Sequence, residues 1–274
     1  MNVAQLSLFE QFQVQDPSLS DEQVVIAICR QFLAESDATP PVDVEMLASL
    51  CGIAQVEYCR QLWAGVLFTR DGALVARIRA DDADERRRFT VLHEGGHTFL
   101  PGFLRQAQHR CKGPKNREEQ LCDLAAAEML LPRSAFVADL AEVGHGLWGV
   151  ERLAGRYEAS IQATALRTIT LAGRPTLLLA FHYAHKPSER GHEASCPPKL
   201  RLEWAMRQGP WPFVRRDKSV ALRTPIARAW EHEVVDEFAE IDELFSSPLG
   251  PVWVNARRYG DRVLALVRAS PRTG

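Results

Sequence analysis

The sequence lacks an apolar stretch of the roughly 18 residues that a membrane helix needs, so we expect no membrane contact. Its first 17 residues contain no lysine or arginine and no long apolar core. We therefore expect no secretory signal and a cytoplasmic location. An excess of one charge is absent as well, because 33 basic residues oppose 35 acidic ones for a net charge of -2. That balance excludes a surface built throughout to neutralise nucleic-acid phosphates.

Cysteine pairs are also missing. The six cysteines are scattered, and no two of them form a CxxC pair. In a reducing compartment we expect buried side chains or free thiols and no disulfide framework. The remaining composition, 46% hydrophobic and 25% charged, is that of an ordinary globular protein and excludes wholesale disorder, collagen and coiled coil. A length of 274 residues allows one large or two medium domains.

Periodicity predicts an α+β protein with a mainly helical first part and a second part that is richer in strands. Residues 1–20 are polar, Gln-rich and without a clear period, so we expect a mobile or loosely docked arm. Helical spacing then predicts helices over residues 21–33, 42–51, 84–100 and 118–131, with two more short helices between 133 and 171. Two β-prone runs, 66–69 and 73–78, flank Arg70-Asp71-Gly72 and predict a hairpin. After Gly173 the pattern predicts strands over 176–183, 199–204, 252–256 and 263–267, and an acidic helix over 229–245.

The segment His93-Glu94-Gly95-Gly96-His97 is the most specific motif. Histidines four apart on a helix share one face about 5 to 6 Å apart, a separation at which both can hold one Zn²⁺. Glu94 lies beside the metal and can take a proton from the attacking water and pass it to the leaving amine. Each glycine costs the helix about 1 kcal/mol relative to alanine, which predicts close approach of another backbone or of substrate. Because both histidines lie on the apolar face, we predict a metal site and not a surface helix.

A catalytic zinc takes three protein ligands and keeps one position open. We predict Glu119, on the next helix, as the third ligand. Asp123 lies one turn further along the same face, where it can hydrogen-bond the far nitrogen of a ligand histidine. Glu118 is the alternative ligand, but Leu121 and Cys122, three and four residues after it, cannot provide that hydrogen bond. Without the HExxH helix, the favoured interpretation of Glu119 is a solvated carboxylate at a helix start.

These residues resemble the ImmA/IrrE family of zinc metallopeptidases. The similarity consists of Arg88-Phe89-Thr90 before HExxH, the run EQLCDLAAAEMLLP over residues 119–132, and a lead-in helix over 41–53, and it spans about residues 40–170. The sequence departs from the family pattern at four positions, none of them an expected ligand. Leu121 and Cys122 replace the usual Glu and Ala, Ala125 replaces Phe, and Leu131 replaces Met.

The resemblance implies a zinc-dependent endopeptidase with His93, His97 and Glu119 as ligands of one zinc ion per chain and Glu94 as the base. Mn²⁺ or Fe²⁺ can occupy sites of this kind. It also implies a protein substrate, in this family typically a helix-turn-helix transcriptional repressor. The biological role would then be stress response, control of phage or mobile elements, or toxin-antitoxin regulation.

The change of pattern near Gly173 places the domain boundary there. We therefore expect the polar arm, a mainly helical zinc-peptidase domain with a small sheet and a helix-turn-helix-like end over residues 21–173, and a mixed α/β accessory domain over 174–274. The resemblance implies that the accessory domain senses a signal or presents substrate.

The alternative is a non-catalytic regulator that keeps the metal for structure and binds DNA or a repressor. A structural zinc is closed by four protein ligands, and His109 or Cys111 could supply the fourth. For the enzyme, His109, His145 and Tyr157 are polar candidates for stabilising the oxyanion. The strand predicted over 73–78 is a candidate edge for an extended substrate.

Three further patterns carry less weight. Residues 150–167 have the outline of a helix-turn-helix, but their mixed charge favours packing over direct DNA binding. A second metal site is not favoured, because its candidate ligands are unevenly spaced; they are His182, His185, His192 and Cys196. The basic, aromatic stretch 199–223 and the acidic stretch 231–243 are expected to be solvated faces that attract each other.

Overall fold

The computed structural model describes residues 6–101, 117–189, 191–192, 195–232 and 234–269. These residues form nine α-helices and two β-sheets, so the α+β class is confirmed. Cα packing divides the chain into two compact units. The N-terminal unit comprises Met1–Glu142 and Arg152–Thr164, and the C-terminal unit comprises Val143–Glu151 and Ala165–Gly274. Within the described residues, no helix combines the length and the apolarity needed to span a membrane.

Eight helices precede the second sheet. They are α1 Leu8–Gln15, α2 Asp21–Glu35, α3 Val44–Leu50, α4 Asp84–Thr98, α5 Arg117–Leu130, α6 Arg133–Val143, α7 Leu147–Tyr157 and α8 Ile161–Leu171. The chain passes from one unit to the other three times: at the last residue of α6, within α7 and within α8. Glu158, at φ 49°, separates α7 from α8, so the predicted helix, turn and helix are present, and three helices follow α5 where two were predicted.

The N-terminal segment, which the sequence predicted to be a mobile or loosely docked arm, contains a helix. Ser7 and Glu10 form a capping box at the start of α1, which satisfies backbone donors that would otherwise be exposed. Phe9 is 5% exposed, and its backbone N–H donates to the carbonyl of Phe99 at 3.1 Å. One buried aromatic residue and one backbone hydrogen bond therefore dock α1.

The first sheet comprises β1 Gln55–Cys59, β2 Gly65–Arg70 and β3 Ala73–Arg79 in the order β1-β3-β2. The predicted hairpin is confirmed: β2 and β3 pair antiparallel around a two-residue turn in which Asp71 and Gly72 have positive φ. The prediction that residues 73–78 offer a free edge was wrong. Strand β1 was not predicted, and it pairs with β3 in parallel, so β3 is central and β1 and β2 are the edges.

The second sheet lies in the C-terminal unit and comprises β4 Thr176–Ala184, β5 Lys199–Gln208, β6 Val234–Ala239, β7 Val252–Tyr259 and β8 Arg262–Ala269. All its pairs are antiparallel, in the order β5-β4-β8-β7-β6. Helix α9, Pro225–His232, contributes Ile226 and Ala229 to a core that contains Leu177, Val254 and Val267 of one sheet face.

The acidic stretch 229–245 is not one helix. Helix α9 ends at His232, and β6 begins at Val234. Along β6 exposed and partly buried residues alternate, which is the period of a strand with one face against the protein. Antiparallel pairing with β7 therefore overrides the helical composition of this stretch. The domain boundary near Gly173 stays a prediction.

Candidate metal centre

Helix α4 presents the HExxH motif on its buried face. His93 is 0% exposed, Glu94 3% and His97 4%. The two imidazole rings stand 5.1 Å apart, centroid to centroid, and are inclined edge to face. This is the shared face that the spacing predicted.

Helix α5 brings Glu119 against both histidines. One carboxylate oxygen lies 3.5 Å from His93 Nε2, and the other lies 3.4 Å from His97 Nε2. The three side chains that the sequence proposed as ligands therefore converge, with the carboxylate between the two Nε2 atoms.

The other nitrogen of each ring faces a carboxylate. His93 Nδ1 lies 2.9 Å from Asp123 Oδ1, and His97 Nδ1 lies 3.1 Å from Glu118 Oε1. A carboxylate that accepts a hydrogen bond from Nδ1–H stabilises the tautomer in which Nε2 carries the lone pair that can bind a metal. Asp123 has the partner expected for it. Glu118, considered above only as an alternative ligand, is the matching partner of His97.

Cys122 is the residue that the sequence analysis missed. Its thiol is fully buried, and the potential ligand atoms of His93, His97 and Cys122 all lie within 4.8 Å of one another. Cys122 follows Glu119 by three residues and shares its helix face, and that spacing could have revealed it. Burial raises the pKa of the thiol, while its hydrogen bond with His97 acts in the opposite direction.

The donor set fits a divalent cation. Burial lowers the pKa of His97, but hydrogen bonds with Cys122 and Glu119 and the charge of Glu94 outweigh it and raise that pKa to about 11. The pocket thus strongly favours positive charge. Imidazole nitrogen, carboxylate oxygen and thiol sulfur are the ligands that Zn²⁺ takes in proteins.

Glycines let neighbouring elements approach α4 closely. A Cβ on Gly96 would lie 3.0 Å from Cys122 Cα, and one on Gly95 would lie 3.1 Å from Cys51 Sγ. The close backbone approach predicted for these glycines is confirmed at Gly96. Gly65, the first residue of β2, similarly leaves room for the Glu94 carboxylate.

We expect Gly96→Ala to destabilise the protein by about 1 to 3 kcal/mol, because the added methyl pushes α5 away from α4. Gly155→Ala is the matched control, since a Cβ on Gly155 of α7 meets nothing within 4 Å. It should stabilise by about 0.5 to 1 kcal/mol through helix propensity. Urea unfolding of both variants checks the two signs. Equal stabilisation by both would show that α4 and α5 do not pack this closely.

Of the candidates for stabilising the oxyanion, Tyr157 is engaged elsewhere in the N-terminal unit. The Tyr157 hydroxyl donates to Asp139 at 2.7 Å, and its ring packs against that of Phe136. His145 belongs to the C-terminal unit. His109 and Cys111 lie outside the described residues.

The second metal site is not formed by the residues that the structure describes. Their one cluster of potential ligands is the group at His93. His185 Nε2 instead contacts the backbone carbonyl of Cys196 at 2.7 Å, and His182 Nδ1 lies 3.7 Å from Glu203.

The helical fold and the paired histidines define a metallopeptidase-like domain. The family model described as Peptidase_M78, IrrE N-terminal-like domain, matches residues 63–168, and this match supports the resemblance of that segment to the ImmA/IrrE metallopeptidases. A solved structure described as a Mycobacterium tuberculosis transcriptional regulator is similar, with a TM-score of 0.59 and 14% identity over 96% of this chain and 80% of that chain. At that identity the likeness is one of fold alone. No curated protein sequence matches the chain significantly.

Proposed function

We propose that the chain is a zinc-dependent endopeptidase with His93, His97 and Glu119 as metal ligands and Glu94 as general base. The observation that carries the proposal is the Glu119 carboxylate between two Nε2 atoms. Each histidine also has a carboxylate on Nδ1. This arrangement offers three ligands of the kinds found in catalytic zinc sites. Mn²⁺ and Fe²⁺ remain compatible with the same ligands.

The residues around the proposed ligands supply proton transfer and substrate placement. Zinc, when bound, supplies Lewis-acid activation of water and of the peptide carbonyl. Glu94, the neighbour of His93 on α4, takes the proton of the attacking water and delivers it to the leaving amine nitrogen. Strand β2, which begins against Glu94 at Gly65, is paired on one side only within the described residues. An extended substrate backbone can add to this edge.

The proposed substrate is a helix-turn-helix transcriptional repressor, and the C-terminal unit is proposed to sense a signal or present that substrate. The test is incubation of the zinc-loaded protein with a repressor encoded beside its gene. Gel electrophoresis and mass spectrometry would identify the cleaved bond. We expect one major cleavage that EDTA prevents and added zinc restores. An intact repressor, at every ratio of enzyme to substrate, would contradict this assignment of the substrate.

Separate substitutions of the adjacent residues Glu118 and Glu119 test which of them is the metal ligand. Glu119→Gln should weaken zinc binding at least about 100-fold, because an amide oxygen is a poor replacement for a carboxylate on zinc. Glu118→Ala should weaken it by about 10- to 100-fold, like Asp123→Ala, because each removes the partner of one Nδ1 atom. Competition with a chromophoric chelator measures the three affinities. Unchanged affinity in Glu119→Gln with loss in Glu118→Ala would reverse the assignment.

One observation favours a second candidate function. Cys122 places a thiol among the potential ligands, and with His93, His97 and Glu119 it could close a four-ligand site. A closed site is structural, and the protein would then be a non-catalytic regulator that binds a repressor or DNA. The two candidates differ in what Cys122→Ala does to zinc binding.

A further inference from the structure

The C-terminal unit has an open cleft of about 440 Å³ at one end of its sheet. Its lining residues are Arg174, Pro175, Phe238, Trp253, Arg268 and Ala269. Phe238 pairs with Trp253 and Trp253 with Arg268 on adjacent strands, so the three side chains form one row on one face. Val252 and Val254, which flank Trp253, belong to the core with α9. The row therefore lies on the opposite face of the sheet.

Arg174 and Arg268 bring positive charge to this cleft, and Asp236 is the carboxylate whose charge acts on Arg268. Among the described residues, no ion pair reaches Arg174 or Arg268, and the buried Nε of Arg268 has no hydrogen-bond partner. Burial, and then the charge of Arg174, lowers the pKa of Arg268, and the charge of Asp236 opposes this only in part. His145 is not among the lining residues, but burial and the charges of both arginines lower its pKa.

Arg268 is half-buried and Arg174 is exposed. A half-buried charge beside a like charge opposes folding unless something compensates it. Proteins retain such unfavourable charge interactions mainly at functional sites, where a bound ligand can compensate them. The two guanidinium groups are planar donors that match a carboxylate or a phosphate. Beside them, the rings of Trp253 and Phe238 pack edge to face, 4.6 Å apart, and offer apolar surface to a flat group.

We propose that this cleft binds a small anion that carries a flat ring, its acidic group on Arg174 and Arg268 and its ring against Trp253 and Phe238. The volume suits a ligand of this size. The site lies in the C-terminal unit and does not depend on the proposed peptidase activity.

Calorimetric titration of the full-length protein tests the proposal with benzoate and phenyl phosphate, which separate a carboxylate from a phosphate as the acidic group. Inorganic phosphate lacks the ring, and benzyl alcohol lacks the charge. We expect one ring-bearing anion to bind at least about tenfold more tightly than either of these. Arg268→Met and Trp253→Leu should each weaken that binding about tenfold or more. Arg216→Met, at an exposed arginine of the same unit, should change it less than about twofold.

Thermal unfolding supplies a second readout. Without ligand, Arg268→Met should raise Tm by about 2 °C, because it removes a half-buried charge that Asp236 compensates only in part. The tighter anion should raise Tm of the wild type but not of the variant. Absence of saturable binding by both ring-bearing anions would overturn the proposal. So would equal binding to Arg268→Met, equal affinity for inorganic phosphate, or a lower Tm of the unliganded variant.

Discussion

Glu94→Gln should lower the rate of substrate cleavage about 10³-fold while zinc binding stays unchanged. The amide has the shape of the carboxylate, so it fits the space that Gly65 leaves beside it. It cannot accept the proton of the attacking water, and loss of a general base costs about 10² to 10⁴ in rate. Cleavage kinetics on the cognate repressor and zinc content by mass spectrometry measure the two quantities on the same sample.

Glu85→Gln is the matched control, because Glu85 is exposed in the first turn of α4. It makes the same chemical change on the same helix and should leave cleavage within about twofold of the wild type. Cleavage by Glu94→Gln at the wild-type rate would contradict the role of Glu94 as the base. Loss of zinc by that variant would show instead that Glu94 acts on the metal ligands.

The parts of the centre that the sequence predicted are those fixed by local geometry. His93, Glu94 and His97 lie within five residues of one helix, so helical spacing alone orients them. The hairpin is local in the same sense, since Asp71 and Gly72 provide the positive φ that a two-residue turn requires. Asp123 could be predicted because it lies four residues after Glu119 on one helix face.

The roles of Glu118 and Cys122 depend on how α5 packs against α4. Gly96 lets α4 approach the backbone of α5 at Cys122, and this contact brings the thiol near both histidines. The same approach places Glu118 against His97 Nδ1. The periodicity of α5 does not specify a contact between segments more than 20 residues apart, so the sequence left these two residues without their roles.

Strands whose partners are distant in sequence were the other source of error. β1 pairs in parallel with β3 although β2 lies between them in the sequence. Likewise, β6 pairs with β7 although an irregular segment separates them. In β6 the acidic composition suggested a helix, although Val235 and Phe238 favour a strand. Pairing with a partner decides such short segments more strongly than propensity does.

His93→Ala should weaken zinc binding by about 10³-fold or more, whereas Cys122→Ala should leave it within about threefold. His93 is fully buried, and its Nε2 faces Glu119, so alanine removes one of three proposed ligands and leaves a cavity in its place. If the site is catalytic, with three protein ligands, the thiol of Cys122 would not be one of them. His182→Ala, at a partly exposed histidine of the C-terminal unit, should bind zinc like the wild type.

Chelator competition gives the zinc affinity of each variant, and thermal unfolding with and without EDTA shows whether zinc stabilises the fold. EDTA should lower Tm of the wild type and of Cys122→Ala but leave His93→Ala unchanged, because that variant has no bound ion to lose. If Cys122→Ala lost zinc as completely as His93→Ala, the thiol would be a fourth ligand. A site closed in this way has no position for water, and that result would replace the proposed peptidase with the metal-stabilised regulator.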